Sequence, residues 1–172
     1  RKVPPSALEA RAREDASVRL TTREKLSGTV DEGHALLVDP SFQEAKCAAT
    51  TNNGIYTVDG GGGVDGHRVR TERQLPSDGL PDMARSFVGE HLTIIEVLDW
   101  SPLGLDGSRA SMVDIHIKGA PLTVKGTMRL EPHGDETLEI IEADLRANVP
   151  LIGGKLERAA AEIRALGTEV LP

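Results

Sequence analysis

Leu122, Val124, Gly126, Met128 and Leu130 alternate with Thr123, Lys125, Thr127, Arg129 and Glu131, which gives a strand with one apolar and one wet face. His133-Gly134-Asp135 supplies a turn, after which Ile141, Ala143, Leu145, Ala147 and Val149 alternate with Glu142, Asp144, Arg146 and Asn148. The two segments are expected to pair as a hairpin of half-buried antiparallel strands. Pro150 cannot donate to a ladder and Gly153-Gly154 lets the backbone bend. Leu156, Ala159, Ala160 and Ile163 then recur at helical spacing. A curved sheet is expected to receive this C-terminal helix across its apolar face.

Upstream, Val18, Leu20 and Thr22 alternate loosely towards Lys25-Leu26 and read as a first strand that closes at Ser27-Gly28. Thr29 is placed to cap a helix from Val30 to Val38, with Asp31 and Glu32 favouring its N-terminal dipole. Asp39-Pro40 stops that helix. Ser41 then opens a second short one, Phe42 to Ala49, with Phe42, Ala45 and Ala49 on one side. Past the turn at Asn52-Asn53-Gly54, Ile55 to Val58 and Arg68 to Leu75 flank a glycine-rich loop, Asp59 to Gly66, expected as the flexible tip of a hairpin. Pro76 to Arg85 reads as a loop leading through Phe87-Val88 into another strand.

On that strand Leu92, Ile94, Glu96, Leu98 and Trp100 share the face taken as inward, and Thr93, Ile95, Val97 and Asp99 share the other. After the turn at Asp106-Gly107, Ser111, Val113, Ile115 and Ile117 alternate with Met112, Asp114, His116 and Lys118 in a further half-buried strand. The order is strand, two short helices, about six antiparallel strands and a helix. This is an α+β arrangement around a curved sheet of about seven strands.

A chain of 172 residues fits one domain. Residues 17–172 are expected to form it, with 1–16 as an extension carrying a short helix after Ser6, of surface or tag origin. The net charge of -7 argues against a nucleic-acid or anionic-membrane surface, since both need clustered positive charge. No apolar run suggests a leader or a membrane span, so no stable membrane insertion is expected, and the single cysteine, Cys47, fits a cytoplasmic location. Aromatics make up only 2% of the chain, which leaves a mostly aliphatic core and little material for base-stacking platforms.

His34, His67, His91, His116 and His133 are scattered without HExxH or paired spacing, and no metal or cofactor is expected. Gly61, Gly63 and Gly66 fit a GxGxxG spacing, but a phosphate cradle needs a helix N-terminus directly after the glycines, and His67 to Thr71 is β-like. Neither a G-x-S-x-G elbow nor an activated cysteine supports nucleophilic catalysis. Glu96 is different. Its inward parity puts a carboxylate in the interior, where it must be paired, hydrogen-bonded or protonated. It reads either as a ligand anchor, or as a carboxylate that sits near the wet end of an open cavity or meets an arginine.

Arg73-Gln74-Leu75-Pro76, Phe87-Val88-Gly89 leading to Trp100, and Gly119-Ala120-Pro121 carry a family resemblance, together with Gly126-Thr127-Met128-Arg129-Leu130-Glu131-Pro132 and Val149-Pro150-Leu151-Ile152-Gly153-Gly154-Lys155-Leu156-Glu157. Across Ser17 to about Leu166 the chain resembles the START or Bet v 1-like superfamily (SRPBCC), and within it an actinobacterial family of unknown function. The resemblance implies a helix-grip fold with an internal hydrophobic cavity. It names no ligand. The C-terminal helix here meets Gly167 after about three turns, shorter than the family's, which leaves the N-terminal helix to supply cover or to pack against a neighbouring chain.

The implied function is binding of a hydrophobic small molecule or lipid, with Arg73 and Glu96 orienting its polar end. The expected lining is Ile94, Leu98, Trp100, Val113, Ile115, Val124, Met128, Ile141, Leu145, Leu156, Ala160 and Ile163, each of which would equally serve as plain core. Two other readings stand beside it. One is a cyclase- or hydratase-like enzyme using Glu96 in the same cavity; the other is a protein-interaction or chaperone-adaptor module working from the outer face, where Ile95 and Val97 make a small patch.

Overall fold

Thr29 sets the geometry of the first crossing. Its side chain accepts from the Glu32 N–H while the Glu32 carboxylate accepts from the Thr29 N–H, a reciprocal cap that starts a helix directly after the first strand. In the computed structural model, which describes residues 17–51, 54–79 and 82–147, the elements run β1 (Ser17–Leu26), α1 (Val30–Val38), α2 (Pro40–Thr50), β2 (Tyr56–Gly63), β3 (Gly66–Pro76), α3 (Asp82–Val88), β4 (His91–Trp100), β5 (Arg109–Ile117), β6 (Leu122–His133) and β7 (Glu136–Ala147). The strands form one curved sheet in the order β1-β7-β6-β5-β4-β3-β2, antiparallel throughout. β1 and β2 are its two edges, so α1 and α2 carry the chain from one edge to the other.

The side-chain parity of β4, β5, β6 and β7 follows the alternation in the sequence. Register pairs Glu96 with Ile115, Ile115 with Val124, and Val124 with Leu145, which puts all four on the same face. That face carries two apolar clusters. One, under α1 and α2, joins Val30 and Leu37 to Val69, Leu98, Trp100, Val113 and Leu130. The other, towards the opposite ends of the strands, joins Leu20, Leu75, Leu92, Ile94, Ile117, Leu122, Val124, Ala143 and Leu145. The expected C-terminal helix with Leu156, Ala160 and Ile163, and the helix of residues 1–16, lie outside the described residues.

Three local expectations are corrected. Asp59 to Gly63 belongs to β2, paired residue for residue with Gly66 to Arg70, so the expected long tip shrinks to Val64-Asp65. Glycine lowers strand propensity but keeps both ladder groups, and at a sheet edge a partner strand suffices. The expected Pro76–Arg85 loop holds at 77–79, but from Asp82 it gives way to α3, which ends where the Gly89 N–H donates to the Arg85 carbonyl at a Gly89 φ of +74°.

The third correction concerns α2. Asp39 and Pro40 do not merely stop α1. The Asp39 side chain accepts from the Ser41 N–H and caps α2, with Pro40 in its first turn. Its buried face is Gln43 and Cys47, flanked by Lys46 and Thr50, whereas Ala45 and Ala49 are exposed. An alanine loses little by facing water; Lys46 and Thr50 have charged and polar partners to meet on the sheet.

Candidate functional site

Between the two apolar clusters lies a buried group of charges. β4 brings Glu96 to the inner face, β3 brings Arg73, and α2 lowers Lys46 from above. Lys46 Nζ donates to Glu96 Oε1 at 3.1 Å, and Arg73 Nη2 stands 3.5 Å from Glu96 Oε2. Arg73 Nη1 also donates to Thr50 Oγ1 at 3.2 Å. Glu96 and Arg73 are only 8% and 6% exposed.

Burial by itself would push the Glu96 carboxyl up, yet the adjacent Lys46 and Arg73 cations and the Lys46 hydrogen bond outweigh it and hold the group below the usual carboxylate range. Glu96 is therefore an ionised counter-ion. Cys47, fully buried beside this group, has its thiol pushed up by burial in spite of Arg73 and Lys46, and it stays protonated.

A cavity of about 80 Å³ opens against these charges. Its wall is formed by Lys46, Arg73, Ile94, Glu96, Ile115, His116, Ile117, Leu122, Val124 and Leu145, so one side is charged and the rest is almost wholly aliphatic. Among the residues singled out from the sequence, Arg73, Ile94, Glu96, Ile115, Val124 and Leu145 meet here. Leu98, Trp100, Val113 and Met128 pack instead into the cluster beneath α1 and α2, and Ile141 is half-buried on β7.

Lys46, Ile117 and Leu122 were not singled out for the site. The two apolar residues were legible from strand parity alone, but Lys46 was not, because the rotation of α2 depends on what the sheet offers beneath it. His116 reaches the wall from an outward-parity position.

Two further titratable groups lie on this side of the sheet, one buried and one partly buried. Glu139 on β7 is 4% exposed and lies directly across from Glu24 of β1. Burial and the Glu24 charge push its carboxyl up to about 6, against a weaker pull from Lys46. Extending the β7 alternation backwards from Ile141 would have placed it inside. His34 on α1 meets Trp100 edge-on, with ring centroids 5.0 Å apart. Burial, with Arg109 and His67 nearby, pushes His34 down to about 4, so its ring is neutral at neutral pH. Among the described residues no group of three or more His, Cys, Asp or Glu side chains could hold a metal ion, and no helix is long and apolar enough to cross a membrane.

Comparison with known proteins places this geometry in context. A family described as "Protein of unknown function (DUF2505)" matches residues 21–165. An uncharacterised protein of Mycobacterium tuberculosis, Rv0481c, is 27% identical over 139 residues, covering 76% of this chain and 79% of its own. Among solved structures, the Zhui aromatase/cyclase from Streptomyces sp. R1128 superposes with a TM-score of 0.52 at 14% identity, over 90% of this chain and 86% of that one. A STAR-related lipid transfer protein from Xanthomonas axonopodis gives 0.52 at 12% identity, over 88% and 85%. At these identities the likeness is one of fold, START-like and Bet v 1-like.

Proposed function

The chain belongs to the DUF2505 family of proteins of unknown function, and from that premise we propose that it binds a hydrophobic small molecule or lipid in the concavity of its sheet. The observation that carries this reading is the aliphatic cavity with a charged wall formed by Lys46, Arg73 and Glu96. Removing three charges from water costs several kcal/mol per ion, and mutual pairing often does no more than offset it. An aliphatic core of the same volume would serve stability as well. A buried ion trio beside an apolar space is better accounted for by a ligand with a polar end than by folding needs. The names of the two structural neighbours, a lipid transfer protein and an aromatase/cyclase, fit a fold that takes up apolar molecules.

The same geometry weighs against the cyclase- or hydratase-like alternative. Glu96, held ionised by two cations, is a poor general acid and a weak base at neutral pH. The adaptor reading loses half of its small Ile95–Val97 patch, since Ile95 is itself buried.

Native mass spectrometry of freshly purified protein, followed by solvent extraction, tests the binding reading. A stoichiometric apolar adduct is expected. An apo mass, combined with no uptake from a panel of fatty acids, fatty alcohols, steroids and polycyclic aromatics, would overturn it.

A further inference from the structure

The charged wall of the cavity has more donors than acceptors. An ammonium offers three N–H groups and a guanidinium five, and none of them can accept. Facing Lys46 and Arg73 are the two Glu96 oxygens and the Thr50 hydroxyl. Arg73 Nε is buried and has no hydrogen-bond partner among the described residues. The charges are equally unbalanced, two cations against one carboxylate.

The other groups on this face do not correct the surplus at hydrogen-bond range. Glu139 feels Lys46 but forms no ion pair with it among the described residues, and Glu24 opposes Glu139 rather than the cations. The Cys47 thiol is neutral. His116 makes its contact with Asp114, at 3.9 Å. The remainder of the wall, Ile94, Ile117, Leu122, Val124 and Leu145 among it, is aliphatic.

Resting on the reading that this cavity binds a ligand, we propose that the ligand is an apolar carboxylate, its carboxylate seated against Arg73 and Lys46 and its hydrocarbon body against the β4–β7 aliphatics. A carboxylate brings acceptor lone pairs to the unpartnered Arg73 Nε and the free face of Lys46, and it matches the planar guanidinium fork. It also completes a local balance of two positive and two negative charges. An alcohol would supply an acceptor without the charge. An amine would place a third cation beside two others.

The test uses octanoate, 1-octanol and octylamine, identical in chain length, titrated calorimetrically into the delipidated full chain at pH 7.5. Octanoate is expected to bind about tenfold or more tightly than 1-octanol, with octylamine weakest. In Lys46→Met the remaining Arg73–Glu96 pair is neutral, so the octanoate preference should collapse to within about threefold while 1-octanol affinity holds. In Glu96→Gln the ligand becomes the sole counter-ion, and the preference should widen; if that variant does not fold, Lys46→Met carries the test.

Equal binding of octanoate and 1-octanol by the wild-type protein, or a preference undiminished in Lys46→Met, overturns the carboxylate assignment and leaves cavity binding standing. Binding of none of the three overturns both.

Discussion

Replacing Glu139 by Gln should stabilise the protein, and the gain should depend on pH in a way set by the surroundings of this one carboxyl. Glu139 faces inward on β7 between Glu24 of β1 and Leu130 of β6, 4% exposed, with Oε2 lacking a partner among the described residues. Burial, then the Glu24 charge, raises its carboxyl from an ordinary 4.5 to about 6. Between these values the folded state holds a proton that the unfolded state has released. Stability is therefore full below pH 4.5 and is lost as pH rises through about 6. The gap of about 1.5 on the pH scale, at about 1.36 kcal/mol each, corresponds to about 2 kcal/mol.

Glutamine keeps the shape and removes the ionisation. The variant should thus gain about 2 kcal/mol at pH 7.5 and less than about half of that at pH 5. Urea denaturation at both pH values, followed through the fluorescence of Trp100, the single tryptophan and 3% exposed, measures the difference. A gain that is flat with pH, or one that shrinks as pH rises, would refute the reasoning.

Glu96 calls for the opposite outcome: Glu96→Gln strips Lys46 and Arg73 of their shared counter-ion and should cost about 3 to 5 kcal/mol in urea denaturation at neutral pH. Because the carboxyl of Glu96 lies below the usual range, the stability it contributes in the wild type is present above the ordinary value of 4.5 and fades only as pH falls through that lowered value. Gly126→Ala should destabilise by about 1 to 3 kcal/mol or more. A Cβ there would collide with the Glu142 carbonyl oxygen and stand 2.7 Å from the Ala143 Cβ, so β6 and β7 could not keep their spacing. A thermal melt of Gly126→Ala that matches the wild type would show that the hairpin yields at little cost.

Strand parity was legible because it is local. The inward faces of β4, β5, β6 and β7 follow from a period of two, and so did the burial of Glu96 beside Leu98 and Trp100. Helix starts were legible where the capping chemistry is carried by neighbouring residues, as at Thr29 and Glu32. α3 was missed because the prolines and aspartates around it are turn formers, and the signal that could have found it was Gly89 just beyond its end. The glycines of β2 read locally as a loop, because their pairing with β3 is a long-range choice that composition does not record.

The sequence by itself determined the run of strands with two short helices after the first, but not α3, and it determined which face of each central strand is apolar and that a carboxylate would be buried at Glu96. These depend on neighbours within a few residues, where periodicity and capping act. Only the tertiary structure decided that Lys46 of α2 and Arg73 of β3 converge on that carboxylate, that Glu24 and Glu139 oppose each other, and that the aliphatic face is divided between a filled core and a cavity. Those outcomes depend on register, on the rotation of α2 over the sheet, and on charges from separate elements brought within hydrogen-bonding distance, and no local pattern encodes them.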